Sequence, residues 1–514
     1  VGNVAIGLMA LQDQNVDAGN NVAVGYQAAV NLTTGTDSVY MGYLAGGAGV
    51  ITGANNVVLG SNAALNATGM NHSVVIGTNA NNVGVNTGAN NVLLGHAAGQ
   101  QITSGASNVL IGRDCGLNIN TGSQNVLIGH DAGTLLTDNA GNVAIGYGAL
   151  DGCNGAEHYN IAIGRDALGA DCAGSDYCVA IGDRALSNQT ANVKNTAIGG
   201  LAGDAITTSN GNTALGYLSL STLDVTADGN YNVAIGQSAM ESSEGASNVA
   251  IGYGALKTAG ESDNNVCIGH DAGNGITDGP GNVLIGKSAG LAMSTSDYNI
   301  VIGYQAADAL TTNSHYNIAI GYNALGGQTL DQAAGSDSEN PCIAIGKNAL
   351  LVQNGTDALN LAIGSAAGQT ISSGTKNVLI GHEAGSTLAD DSSNTVVGYQ
   401  ALKTLNAGAS GFNTAVGVAS GTAMTTGVKN TLVGHGSGAA LTNADFNIAI
   451  GFGSLNSDTL GSKSVAIGEQ ALNTQNFTTA TDSNNTAVGY NAGKAITTGV
   501  ENTLIGALAG DAVT

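Results

Sequence analysis

Asn142-Val143-Ala144-Ile145-Gly146 returns, with small changes, from one end of the chain to the other: Asn3 to Gly7, Asn232 to Gly236, Asn447 to Gly451. Aligned on its glycine, the stretch occurs 29 times in 514 residues, and 23 of the 28 intervals are 17 or 18 residues long. A fixed period of this kind is the signature of stacked repeats, each too short to bury a core alone. No linker or shift in composition interrupts the series, so residues 1–514 read as a single continuous repeat domain, with no capping repeat expected at either end.

Within the repeat we number the asparagine 1 and the glycine 5. Position 4 is Ile, Leu, Val or Met in every copy and position 2 is Val, Ile, Leu or Thr. These residues favour strands, and a spacing of two puts them on one face. Glycine at position 5, as at Gly129, Gly146, Gly164, Gly236 and Gly252, ends the strand where a side chain would obstruct a positive φ or a close backbone contact. Position 8 is small, Ala in 24 copies. Asparagine holds position 1 in 24 copies. In stacked coils Asn125, Asn142, Asn160, Asn232 and Asn248 would form a ladder of amides, each bonding the next. A second, looser segment follows, as in Ile119-Asn120-Thr121-Gly122. The expected fold is all-β: a parallel β-solenoid of about 29 coils.

Position 3 alternates to the other side of the strand. It reads Ala, Leu, Val, Cys or one Tyr, without a charge in 29 copies. A strand that is apolar on both sides is covered on both sides. With positions 2 and 4 assigned to the interior, position 3 becomes the outer face. Ala144, Ala162, Ala234 and Ala250 are then expected to meet a second copy of the chain.

Composition closes off other classes. Two prolines exclude a collagen helix, and 43% hydrophobic residues exclude a disordered chain. No apolar run is long enough for a membrane helix, so no membrane insertion is expected. Twelve basic against 36 acidic residues, a net charge of −24, argue against nucleic acid as a partner.

Asn142-Val-Ala-Ile-Gly146 followed by Ala149 resembles the head repeats of trimeric autotransporter adhesins. Copies such as Asn394-Thr-Val-Val-Gly-Tyr-Gln-Ala-Leu402 and Asn485-Thr-Ala-Val-Gly-Tyr-Asn-Ala-Gly493 resemble repeats of bacteriophage tail fibres and other surface fibres. The resemblance spans the chain. It implies a left-handed parallel β-roll assembled as a homotrimer, and an extracellular, cell-surface or virion-surface location. The adhesin repeat is shorter, so a wider coil is expected here.

Other patterns carry less. Gly281-Asn-Val-Leu-Ile-Gly286-Lys287-Ser288 matches the letters of a phosphate-binding loop, but the letters between its glycines are the repeat's own strand. Five histidines (His96, His130, His270, His382, His435) share position 6 with nine tyrosines, which describes a tolerant rim with a weak aromatic track. His96 and His130, two rungs apart, are too distant to share a zinc. Acidic loops such as Thr137-Asp138-Asn139 read as solubilising charge. Cys115, Cys178, Cys267 and Cys342 replace small or ladder residues. Cys153 and Cys172 fall in the second segment of consecutive rungs, within the usual disulfide reach of about 4.4–6.8 Å between Cα atoms. No catalytic constellation recurs, and no enzyme, cofactor or metal is expected.

The reading is a structural spacer in an extracellular or virion fibre that associates with itself. The alternative is a receptor-binding head that contacts a host-surface glycan or protein through loops. Its candidate recognition loop is the insertion in the 25-residue interval before Gly346, carrying Asp331, Asp337 and Glu339.

Overall fold

The computed structural model describes residues 2–13, 18–155, 157–170, 172, 174–190, 193–221, 230–311, 314–327, 341–354, 358–408 and 410–514. The chain forms two compact units, Val1–Ile251 and Gly252–Thr514. Each is a parallel β-solenoid, and there is no helix among the described residues. The first unit holds fifteen three-residue strands, from Val4–Ile6 to Val249–Ile251. The second holds fourteen, from Val266–Ile268 to Thr503–Ile505, and a small added pair, Gly461–Ser462 with Thr481–Asp482.

Neighbouring strands pair in perfect repeat register: Val143 opposite Ile161, Ala144 opposite Ala162, Ile145 opposite Ile163. The register holds across the longest interval too, with Ala319 opposite Ala344. Strands are short because position 5 stops them. Gly129 has φ +146°, and a Cβ there would lie 2.2 Å from the carbonyl oxygen of Gly146. The rungs stack so closely that only glycine fits, a stricter demand than the turn alone makes. Turn residues are hydrogen-bonded between rungs as well, for example Asp114 N–H to the His96 carbonyl at 2.9 Å. The stacking therefore continues around the coil instead of ending with the sheet.

The asparagine ladder is present, with a division of labour the sequence did not reveal. Asn125 Oδ1 accepts the backbone N–H of Asn142 at 3.0 Å and its amide at 3.3 Å, while Asn142 Nδ2 donates to the Glu157 carbonyl, three residues before Asn160 on the next rung, at 3.0 Å. Asn142 Oδ1 then takes the N–H of Asn160 at 2.9 Å, and Asn232 Oδ1 that of Asn248 at 2.9 Å. Each amide thus satisfies one backbone donor above it and one carbonyl in the turn that leads into the next rung. Cysteine is admissible at the receiving end, since only its N–H is needed: Cys178 and Cys342 donate to Asn160 and Asn317, each at 2.9 Å.

One expectation is reversed. Ala144, Ala162, Ala234 and Ala250 are wholly buried inside the coil of a single chain, while Val143, Ile145, Val233 and Ile235 beside them are only half-buried. Position 3 is the core and positions 2 and 4 face outward. The reason is the narrowness of the coil, which admits one strand side chain per rung. That side chain meets residues 8, 9 and 12 of the repeat, such as Cys115, Gly116 and Ile119 in the rung of Leu110.

Those core positions compensate one another. Where position 3 is Leu, as at Leu93, Leu110 and Leu127, position 9 is glycine (Gly99, Gly116, Gly133) and position 12 is Ile or Leu (Ile102, Ile119, Leu136). At Ala144 and Ala180 position 9 is Leu150 or Leu186 and position 12 shrinks or turns polar as Cys153 or Gln189, whereas Ala197, Ala362 and Ala487 keep Gly203, Gly368 and Gly493 with Ile206, Ile371 and Ile496, and Leu186, Leu350 and Leu472 of the rung before reach into the space. Large and small residues thus trade places within a rung or with the rung before, which keeps the coil filled, as close packing requires. The buried glutamines join the ladder: Asn195 Nδ2 donates to Gln189 Oε1 at 3.1 Å, and Asn485 Nδ2 to Gln475 Oε1 at 2.9 Å.

Candidate functional site

The outward face of each unit is the surface that solenoid geometry repeats most regularly. Positions 2 and 4 line it on every rung, and they are Val, Ile, Leu, Met or Thr without one charged residue in 29 copies. Val57, Leu94, Ile198 and Leu215 in the first unit, and Ile300, Ile448 and Ile450 in the second, are more than a third exposed. Two apolar side chains per rung over about fifteen rungs leave on the order of 1,000 Å² of apolar surface per unit, beyond the patches usual on a monomer.

Aromatic residues flank this stripe at both ends of the strand. At position 6, exposed rings stack on consecutive rungs: Tyr26 on Tyr43 at 5.4 Å, His130 on Tyr147 at 5.3 Å, Tyr304 on Tyr322 at 5.5 Å, His382 on Tyr399 at 5.4 Å. Lys287 and Lys347 cap the Tyr304–Tyr322 pair from the two sides, at 6.0 and 5.8 Å from the ring centres. Before the strand a second column holds Tyr159 on Tyr177 and Tyr298 on Tyr316. The rung spacing brings residues of the same position within stacking range, so an aromatic repeated on adjacent rungs becomes a ladder.

The first unit also carries an acidic corner. Asp131, Asp151 and Asp166 lie on adjacent rungs. Burial pushes the Asp151 carboxyl up to about 6, backbone hydrogen bonds oppose the rise, and the charges of Asp166 and Asp131 add to it. Nearby, ligand atoms of Asp114, His130 and Asp131 lie within 4.8 Å of one another. Sequence reasoning looked for histidine pairs and passed over this group, which draws an aspartate from the preceding rung. Arg113 already sits 2.9 Å from Asp114, and His130 Nδ1 is 3.0 Å from Asp131, so the carboxylates already have partners within the cluster.

Cys153 and Cys172 are joined by a disulfide, wholly buried, with a Cα separation of 5.0 Å. Cys115, Cys178, Cys267 and Cys342 are free and buried. Burial raises the thiol of Cys115 to about 12 and that of Cys342 to about 11, which leaves them protonated and unreactive. The expected recognition loop with Asp331, Asp337 and Glu339 lies outside the described residues. The glycines and ladder asparagines sit inside the coil wall, where they hold structure. Ala144, Ala162, Ala234 and Ala250 are enclosed with them and cannot touch a partner, which leaves Val126, Ile128 and their equivalents as the residues that can. Comparison with known protein families and with curated proteins finds no match to this chain.

Proposed function

We propose that the chain is a structural segment of an extracellular or virion-surface fibre, a β-solenoid spacer whose copies associate through the outward face of positions 2 and 4. The observation that carries this reading is the uncharged Val and Ile stripe that remains half-exposed on rung after rung. Water in contact with so much apolar surface favours covering it, and a second copy presents the same stripe in the same spacing. A left-handed homotrimer is the arrangement that the resemblance to adhesin heads implies. The Cys153–Cys172 disulfide supports a location outside the reducing cytoplasm.

Sedimentation of the purified chain tests the association. Wild type should run as an oligomer, and Ile128→Lys together with Ile145→Lys should shift it toward monomer while circular dichroism stays unchanged. A wild-type chain that is monomeric at tens of micromolar would sink the proposal.

A further inference from the structure

Position 7 of the repeat has a left-handed backbone on all 29 rungs, yet 25 of them carry a side chain there, for example Gln400 (φ 52°), Gln470 (φ 54°) and Asn491 (φ 53°). The backbone therefore does not require glycine at this position. Four rungs have it nonetheless: Gly148, Gly254, Gly436 and Gly453. At the first two the vacated space is taken by an aspartate of the next rung. A Cβ on Gly148 would meet Asp166 Oδ1 at 2.7 Å, and one on Gly254 would meet Asp271 Oδ1 at 2.5 Å. Gly436 and Gly453 are different because they are consecutive: Gly436 has another glycine on the next rung, and Gly453 has Gln470, whose side chain keeps farther off than the aspartates do. The nearest atoms to an added Cβ are Asn456 Oδ1 at 3.3 Å for Gly436, and Asn473 Nδ2 at 3.4 Å and Gln470 Cγ at 3.8 Å for Gly453. A cleft of about 280 Å³ opens there on the second unit.

Its walls are chemically specific. His435 stacks on the exposed Phe452 ring at 5.2 Å and forms one side. Asn456, Gln470 and Asn473 line it as well. Asn473 Nδ2 is held by the Gly453 carbonyl at 2.8 Å, which leaves its Oδ1 to accept. Gln470 Oε1 is held by Lys494 Nζ at 2.6 Å, which leaves its amide to donate. No Asp, Glu, Lys or Arg lines the cleft. Neutral donors and acceptors side by side match vicinal hydroxyls, each of which both donates and accepts. An aromatic wall matches the C–H surface of a ring. The volume lies just under the ~300–1,000 Å³ of most small-molecule sites, which fits one ring and not a chain of them.

We propose that this cleft binds a single neutral pyranose unit of a glycan. The site lies within one chain and needs no second copy. Saturation-transfer NMR on the intact chain tests it, with methyl glucopyranoside, methyl galactopyranoside and N-acetylglucosamine as probes at about 10 mM, tenfold above a ~1 mM dissociation constant. At least one probe should receive saturation. Gly453→Gln, which fills the cleft with the side chain that the next rung carries at Gln470, should reduce the signal at least tenfold, and Asn456→Ala should weaken it. Both variants should keep the wild-type dichroism and sedimentation. Absence of transfer to all three probes overturns the proposal, as does transfer that survives both substitutions. Either failure leaves the oligomer measurement unaffected, so the two readings stand or fall separately.

Discussion

Gly129 shows how much a single position is asked to do. Its φ of +146° belongs to glycine, and its missing Cβ is the space in which the Gly146 carbonyl sits. Gly129→Ala should cost at least about 3 kcal/mol, from backbone strain together with overpacking, and a urea melt of the variant reads it directly. Asp151 makes the opposite case, a residue that weakens the fold at neutral pH. Its folded carboxyl is raised from 3.8 to about 6, chiefly by burial. A raised acid contributes stability that is fully present below about pH 4 and is lost as pH climbs through about 6. Asp151→Asn should therefore stabilise the first unit at pH 7 by about 1 kcal/mol, allowing for solvent screening of a half-exposed group, with the difference vanishing below pH 4. Thermal melts at pH 7 and pH 3.5 give both ends. A stabilisation equal at the two pH values would contradict the assignment.

At the scale of a rung, the unit of design is the trio at positions 3, 9 and 12. Leu110, Gly116 and Ile119 fill the coil in one way, Ala144, Leu150 and Cys153 in another. Leucine tolerates the left-handed backbone at position 9, since Leu150 and Leu168 have φ of 56° and 50°. Gly116→Leu alone should still destabilise by about 1–3 kcal/mol, because a Cβ there lies 2.9 Å from both Ile119 and Leu110. Adding Leu110→Ala and Ile119→Ala should restore most of the loss, a coupling well above the few tenths expected of independent sites. Additive effects in that cycle would mean the pattern is coincidence. The Cys153–Cys172 staple follows the same rule: Cys153 stands at position 12 beside Leu150, where a larger side chain would not fit.

For the whole molecule, charge and the apolar face oppose each other. The chain carries 36 acidic and 12 basic residues, while positions 2 and 4 carry none. Copies brought together through those positions repel through their net charge of −24. Raising salt from about 0.01 to about 1 M shortens the screening length from ~30 to ~3 Å. Association should tighten over that range, as measured by light scattering. Weakening with salt would point to ion pairs at the interface and against an apolar contact.

Period, strand, turn glycine and asparagine ladder were all legible in the sequence, for a physical reason. In-register stacking places each residue against its own equivalent, so the spacing of Asn125, Asn142 and Asn160 is enough to make each the neighbour of the next. Cys153 and Cys172 were legible likewise, since one rung spacing falls within disulfide reach. The sequence could not say which side of the strand is inside. Alternation separates Ala144 from Val143 and Ile145, but when both faces are apolar it labels neither as core. The width of the closed coil made that choice. Room for one strand side chain per rung puts position 3 inward, whether it is Ala144 or Leu110, and turns its two neighbours outward, and the same confinement couples positions 3, 9 and 12. The cleft at Gly436 and Gly453 is also tertiary in origin, because the side chain absent at Gly436 becomes a cavity only when Gly453 on the rung above leaves the space empty.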